Sequence, residues 1–439
     1  MKTLHQISLI TWLIPGMLFN AKTFAYSPGD AALYYPALVD NFYAACHQRL
    51  FWLLPSAQAG EMRAILLQKL DSAAYSSLDK HDYRYDDLIT VSATWQTKAG
   101  DSLSLTKLDM LFTDAAIAYC KDLFQGRGTG SWMKYDEWSE KFASKDNDQL
   151  VSTLARLSTP GQLLGFLNSL EPASPEYLVY KNEIKTQILK NDVAKTSKVA
   201  IAMNFYRWMH HFDFQRFIVV NIPSATLKYY EHDTEKLFSK MIVGKPSKRT
   251  PRFDASCRQI ILYPYWNVPT DIALKELVPK YKKSLALIDK ENMQVLDSKG
   301  NIVDPISLNW HSFTKTYFPY RLRQSTGCDN SLGIIKFDLT SPFGVYLHDT
   351  NEKGIFKSDY RFRSHGCIRV EQAEDLGSML LNGKLDRAFL DSCIRDEKPV
   401  NIPLEKPVPV FVIYSTADEH TGVVTYYNDV YHLFLTAKK

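Results

Sequence analysis

Apolar positions recur at three- and four-residue spacing through the first half of the chain, then give way near residue 214 to short β-branched runs bounded by turn residues. Leu33 to Leu54 is rich in apolar and aromatic residues. Ser56 is placed to cap a helix carrying Met62, Ile65, Leu66, Leu70 and Ala73 along one face. From about Leu105 a second face runs through Leu108, Leu111, Ala115, Ala118, Tyr119 and Leu123, until Gly126, Gly128 and Gly130 stop it. Ser174 and Pro175 read as the cap and first turn of a helix through Tyr180, Ile184 and Leu189, and Val199 to Phe212 is a further helical stretch anchored by Phe205, Tyr206 and Trp208.

The second half reads differently. Phe217 to Ile222 is a β-branched run closed by Pro223, and Leu227–Tyr230 with Leu237–Val243 flank a polar turn at Asp233-Thr234 in the manner of a hairpin. Strand-like runs follow at Ile260–Tyr263, Ile334–Leu339 and Val345–His348, and Val408–Tyr414 with Val423–Tyr427 reads as a final pair. The pattern predicts an α+β protein, with an α-helical scaffold domain over 26–213 and a β-rich domain over 214–439. Within the latter, a mixed excursion over 265–322 is placed to fold across a site as a lid.

Composition narrows this reading. A chain of 439 residues with 45% hydrophobic and 23% charged residues is of ordinary globular type, and its formal charge of +4 is spread without a polybasic run, so nucleic acid is not an expected partner. The apolar run Ile7 to Phe19 follows Lys2 and His5 and precedes Thr23 and Ala25, small residues at signal-peptidase spacing. An export signal over 1–25, cleaved near Ala25, is therefore expected, which puts the mature chain in the periplasm; an uncleaved membrane anchor is the weaker reading of the same run. Cysteines at 46, 120, 257, 328, 367 and 393 are too few and scattered for a disulfide framework, and Cys328 and Cys393 read as packing residues.

Candidate chemistry concentrates in one stretch, from Tyr346 to Val370. A free thiol is only a few per cent ionised at neutral pH, so a nucleophilic Cys367 needs a neighbouring base or a positive environment. His365 is two residues before Cys367 and its side chain points elsewhere if the backbone is extended, whereas His348 can arrive on an adjacent strand; His348 is the expected base. Gly366 lets a carbonyl approach the backbone, and the Gly366 and Cys367 amides are the expected oxyanion donors. The His-x-Cys spacing is awkward for a shared ion and no fourth ligand is evident, so neither a metal nor another cofactor is expected.

His348, fifteen intervening residues (349–363), then Ser364-His365-Gly366-Cys367-Ile368-Arg369 is similar to the signature of the YkuD-type L,D-transpeptidases. The final signature position is commonly Asn; Arg369 resembles the larger YcbB-like subgroup instead. Val243-Gly244-Lys245-Pro246 with Thr250-Pro251, the run Tyr263 to Pro269, and Arg323-Gln324 with Gly327, Asn330, Leu332-Gly333 and Lys336-Phe337 fit that subgroup too. The resemblance is thinner over the helical part, where Thr113 to Ala116 and Glu171 to Tyr177 carry it. That subgroup usually inserts a helical peptidoglycan-binding module between the helix ending near Asn191 and the Asn204 to Trp208 stretch. Twelve residues (192–203) lie there in this chain, so docking by such a module is not expected.

The resemblance implies a specific chemistry. Cys367 would attack the diaminopimelyl carbonyl of a donor tetrapeptide stem, expel D-alanine, and pass the acyl group to an acceptor stem as a 3→3 peptidoglycan cross-link. It implies the backbone carbonyl of Asp349 as the group that orients His348, and a pocket in which Trp266, Tyr346, Ser364, His365 and Asn330 meet substrate. The anionic stem gives Arg323, Arg363 and Arg369 a reason to be present as fork-shaped partners for carboxylates. Carbapenem-type inhibitors and cell-wall synthesis proteins are the other partners implied. Two alternatives stay open: the same thiol serving an L,D-carboxypeptidase or hydrolase with water as acceptor, and a non-catalytic wall-binding module.

Overall fold

The computed structural model describes residues 32–98, 102–128 and 133–434. The expected export signal at 1–25 lies outside the described residues. The chain divides into two compact units, the first made of the described residues up to Ala74 with Asp79–Lys121 and Lys145–Leu170, the second of Tyr75–Leu78, Asp122–Ser144 and Glu171 onward.

The first unit is helical, carried by α1 (Pro36–Ala45), α2 (Ala57–Asp71), α3 (Tyr85–Thr94), most of α4 (Ser102–Gln125), most of α5 (Ser139–Arg156) and α6 (Pro160–Ser169). The capping expected at Ser56 is present, with its hydroxyl accepting the Ala59 amide, and Met62, Leu66, Leu70 and Ala73 are buried along one face. Two carboxylates on α4, Asp109 and Asp114, lie fully buried among its apolar positions. Asp109 accepts the amides of Phe51, Trp52 and Leu53 at 3.0, 2.9 and 2.6 Å, and Asp114 accepts those of Tyr34 and Tyr35 at 2.9 Å. Amides that enter helices or loops have no ladder partner when buried, and these carboxylates supply one.

From Glu171 onward the second unit runs through α7 (Pro175–Leu189) and α8 (Val193–His210) and continues as a mixed sheet. Its strands are β1 (Arg216–Asn221), β2 (Thr226–Glu231), β3 (Thr234–Gly244), β4 (Phe253–Leu262), β9 (Ile335–Leu339), β10 (Leu347–His348), β11 (Phe362–Ser364), β12 (Ile368–Val370) and β13 (Val400–Ile413). They run in the order β11-β3-β12-β10-β9-β4-β13-β1-β2, and a further pairing of β2 with β3 closes the order on itself. Closure leaves few unpaired edges.

Alternation explains the apolar runs. On β1, Ile218 and Val220 join a core with Ile260, Phe337, Leu347, Ile368, Val410 and Val412, while Phe217 and Val219 pack with Phe411 and Ile413 against Tyr177, Tyr180, Phe205 and Trp208 of α7 and α8. A strand covered on both faces reads as continuous hydrophobicity, as Phe217 to Ile222 does. The hairpin turn falls at His232 and Asp233, both with positive φ, one residue before the expected place.

The structure corrects two expectations about pairing and thiols. Val408–Tyr414 and Val423–Tyr427 are not partners: β13 lies between β1 and β4, and β15 (Val423–Tyr426) pairs with β14 (Ala417–His420). Cys328 and Cys393 are not separate packing residues but form a disulfide with Cα atoms 5.2 Å apart. The excursion between β4 and β9 builds its own sheet from β5 (Trp266–Asn267), β6 (Met293–Leu296), β7 (Ile302–Val303) and β8 (Arg321–Gln324), ordered β5-β8-β6-β7, over a small core that includes Val278, Tyr281, Val295, Trp310 and Leu322.

Candidate active site

Three neighbouring strands, β9, β10 and β12, place the reactive side chains. Phe337, Leu347 and Ile368 point into the core, so Lys336, Tyr346, His348, Cys367 and Arg369, which alternate with them, belong to the opposite face. Register aligns Lys336 on β9 and Arg369 on β12 with His348 between them. The imidazole therefore sits between two cations.

His348 is 4% exposed, and its Nδ1 lies 2.6 Å from the carbonyl oxygen of Asp349. A carbonyl only accepts, so Nδ1 carries the proton and Nε2 is the basic nitrogen. Burial first, and the Arg369 charge second, hold the imidazole down at about 3, against the bonds to the Asp349 and Leu332 carbonyls that favour its charged form. His348 is thus neutral across the physiological range. Asp349 is itself fixed: its buried carboxylate accepts the Ile334 amide at 3.2 Å and pairs with Lys353. Gly333, with φ +62°, leaves room for that carboxylate, since a Cβ there would collide with it.

Cys367 follows Gly366, whose φ of +121° turns the chain into β12. Burial pushes the thiol up, while the Tyr346 backbone and hydroxyl, Lys336 and Arg369 all pull toward the thiolate. Tyr346 stands edge-on to His348 with ring centroids 5.6 Å apart, and the Lys336 ammonium lies 4.4 Å from the centre of the tyrosine ring. Lys336 and Arg369 have counterions in Asp338 at 3.1 Å and Glu352 at 2.7 Å.

Not every expected residue meets the thiol. Ser364 is buried and its hydroxyl is spent on the turn, donating to the Cys367 carbonyl at 2.6 Å and accepting the Gly366 amide at 3.1 Å. The Ser364 hydroxyl proton and the Gly366 amide are thus both engaged within the turn, which removes the Gly366 amide as an expected oxyanion donor and makes Ser364 a turn-former first. His365, placed in the substrate pocket by the resemblance, is exposed and pairs with Glu276 of the excursion at 2.8 Å. Asn330 is fully buried and holds Pro264, Ser325 and Leu332 backbone groups at 3.1, 2.7 and 2.7 Å, so it is a loop clamp instead of a substrate contact. Arg323 grips Gln294 at 2.8 and 2.6 Å and stacks on Tyr265, which corrects its assignment to a stem carboxylate. Trp266 is half-buried on β5, opposite Gln324 in the excursion's sheet, and Arg363 bonds Tyr360 and Ser358 at the exposed surface.

Gly333 and Thr250, not among the expected site residues, also support the site, and both stand in the Leu332-Gly333 and Thr250-Pro251 motifs. Thr250 Oγ1 donates to the Gly366 carbonyl at 2.8 Å. Among the described residues no cluster of three or more His, Cys, Asp or Glu side chains is arranged to hold a metal ion, and no helix is long and apolar enough to cross a membrane.

The family model of the L,D-transpeptidase catalytic domain (YkuD) matches residues 215–402, and a Scaffold domain model matches 37–183. A Haemophilus influenzae protein named "Putative L,D-transpeptidase" is 33% identical over 326 residues, which is 74% of this chain and 65% of that protein. The chain therefore spans about 65% of the length of that curated relative. Among solved structures, an L,D-transpeptidase from Mycobacterium smegmatis is 14% identical, with 45% of this chain and 58% of that chain covered and a TM-score of 0.21. An L,D-transpeptidase in complex with imipenem is also 14% identical, with 45% and 59% covered and a TM-score of 0.19.

Proposed function

This chain carries the catalytic domain of the L,D-transpeptidase family behind an N-terminal scaffold domain, and on that premise we propose that it joins peptidoglycan stem peptides by 3→3 cross-links through a Cys367 thioester. The observation that carries this reading is the Nδ1 bond of His348 to the Asp349 carbonyl, which leaves Nε2 as a neutral base on the face shared with Cys367. In the first half-reaction the Cys367 sulfur attacks the diaminopimelyl carbonyl carbon and its proton passes to His348 Nε2. The Cys367 amide receives the oxyanion. Collapse breaks the carbonyl carbon–nitrogen bond, His348 returns the proton to the departing amine, and D-alanine leaves. In the second half-reaction an amine of the acceptor stem attacks the thioester carbonyl and gives a proton to His348; the carbon–sulfur bond breaks, His348 returns that proton to the sulfur, and the free thiol is restored. The same two steps with water as acceptor are the carboxypeptidase alternative.

The cations around the thiol support an anionic stem as substrate, and Arg369 is the fork nearest the nucleophile by register. The same reading places the mature chain in the periplasm, beside the wall it modifies, and makes carbapenems acylating inhibitors of Cys367. The experiment is mass spectrometry of muropeptides after incubating the purified chain with diaminopimelate-type tetrapeptide stems. A 3→3 dimer with free D-alanine is expected. Tripeptide alone would replace transfer by hydrolysis, and unaltered stems would overturn both.

A further inference from the structure

The Gly366–Cys367 peptide unit carries both the Gly366 carbonyl and the Cys367 amide. The chain's described peptide bonds are all trans, so the two groups point in opposite directions, and whatever holds the carbonyl aims the amide. Thr250 holds it, donating from Oγ1 at 2.8 Å. The hydroxyl accepts the Gly244 amide at 2.9 Å, and because an amide N–H only donates, the hydroxyl's single proton is left for the Gly366 carbonyl. Gly244 is gripped from its other side, where its carbonyl accepts the Tyr431 hydroxyl, and the Thr250 amide reaches that same hydroxyl at 3.3 Å. A Cβ on Gly244 would collide with the Lys248 carbonyl, so this close approach needs glycine. Thr250 is 2% exposed and Tyr431 1%, which keeps water from competing for these bonds.

From this geometry we infer that Thr250, braced by Tyr431 through Gly244, is a positioning residue that aims the Cys367 amide at the oxyanion. The inference rests on the acyl-transfer reading above. It also assigns a role to a residue beyond 215–402, the stretch matched by the catalytic-domain model. A hydrogen bond into the carbonyl polarises the peptide unit as well as orienting it, which makes its amide a stronger donor. The remaining bonds of the turn, from Ser364 to the Gly366 amide and the Cys367 carbonyl, hold its flanks and do not engage the Cys367 amide.

The test compares two reactions of Cys367 in the full chain. Acylation by imipenem builds an oxyanion; alkylation by iodoacetamide does not. Losing an oxyanion donor outright costs about 10²–10³-fold, so a misaimed one in Thr250→Val should slow acylation by about ten-fold or more. Alkylation should stay at the wild-type rate. Thr250→Ser, which keeps the hydroxyl, should restore acylation, and Tyr431→Phe should lose it in part with alkylation again intact. Acylation by Thr250→Val at the wild-type rate would overturn the inference. So would a parallel loss of both reactions in the variants that fold, since that outcome marks a displaced thiol. Where Thr250→Val does not fold, Tyr431→Phe carries the same comparison. A wild-type chain that iodoacetamide alkylates but imipenem leaves untouched would overturn the acyl-transfer reading, and this inference with it.

Discussion

The carbonyl oxygen of Asp349 lies 2.6 Å from Nδ1 of its own chain neighbour, His348, so the imidazole is oriented by the backbone and not by a carboxylate. The Asp349 side chain does a different job, holding the Ile334 amide and Lys353. His348→Ala should therefore slow acylation of Cys367 by about 10²–10⁴-fold, the range for a positioned base. His365→Ala, which removes an exposed side chain paired with Glu276, should change the rate far less. Acyl adducts followed by mass spectrometry separate the two, and Cys367→Ala should form none. Equal losses at the two histidines would mean the base is misassigned.

Acid should weaken this protein through His348. The unfolded imidazole takes a proton near 6.5, the folded one only at about 3. Between those values the unfolded state binds more protons, so the contribution is fully present above 6.5 and is lost as pH falls toward 3. Unfolding free energy, read from denaturant melts, should fall more steeply over that window in the wild type than in His348→Gln, by on the order of 1 kcal/mol per pH unit. Parallel melting curves for the two chains would contradict the buried, neutral imidazole.

Asp254 titrates the other way. Burial, and then Asp136 beside it, push its carboxyl up to about 9 from 3.8, so the folded chain keeps a proton that the unfolded chain releases. Stability should fall as pH rises from 3.8 toward 9. Asp254→Asn keeps the oxygen that accepts the Glu137 amide and removes the titration. It should melt above the wild type in mildly alkaline buffer, with the gap closing in acid. A gap that is constant with pH would show that the carboxyl is ionised in the fold.

Gly333→Ala tests the support behind the base. Its positive φ disfavours any side chain, and the added methyl collides with the Asp349 carboxylate. A loss of more than about 1 kcal/mol in stability is expected, with acylation reduced because Asp349 carries the carbonyl that orients His348. Urea denaturation and imipenem acylation measure the two; an alanine variant with wild-type values in both would show that the loop yields freely.

The Cys328–Cys393 bond closes 65 residues of sequence and pins the loop in which Asn330 holds Leu332, whose carbonyl touches His348. Chain entropy puts its contribution at up to about 4 kcal/mol. In the Cys367→Ala background, where the nucleophile cannot interfere, a mild reductant should lower the melting temperature by several degrees. No change on reduction would show that the bridge adds nothing to stability.

Much of this molecule was legible along the chain because the relevant physics is local. Ser56 and Ser174 cap helices where a serine precedes an apolar period, and Phe217 to Ile222 forms a strand because β-branched side chains suit a surface covered on both faces. Cys367 and His348 stood out because a nucleophile and its base are chemically rare and their spacing is a property of sequence. The duties of Ser364, Arg323 and Asn330 were not legible. Each is a polar side chain whose partner is a backbone group or amide brought near by folding, and until the fold decides which buried groups lack a partner, a hydroxyl or guanidinium can serve a loop as well as a substrate. The same holds for the Cys328–Cys393 bond and for Tyr431, which is 64 residues beyond Cys367 (431 minus 367) and yet braces its turn through Gly244. Residue types and spacing singled out Cys367 and His348 as the candidate nucleophile and base. Only the tertiary structure decided that Thr250 holds the Gly366 carbonyl, because the two are far apart in sequence and only folding brings them together.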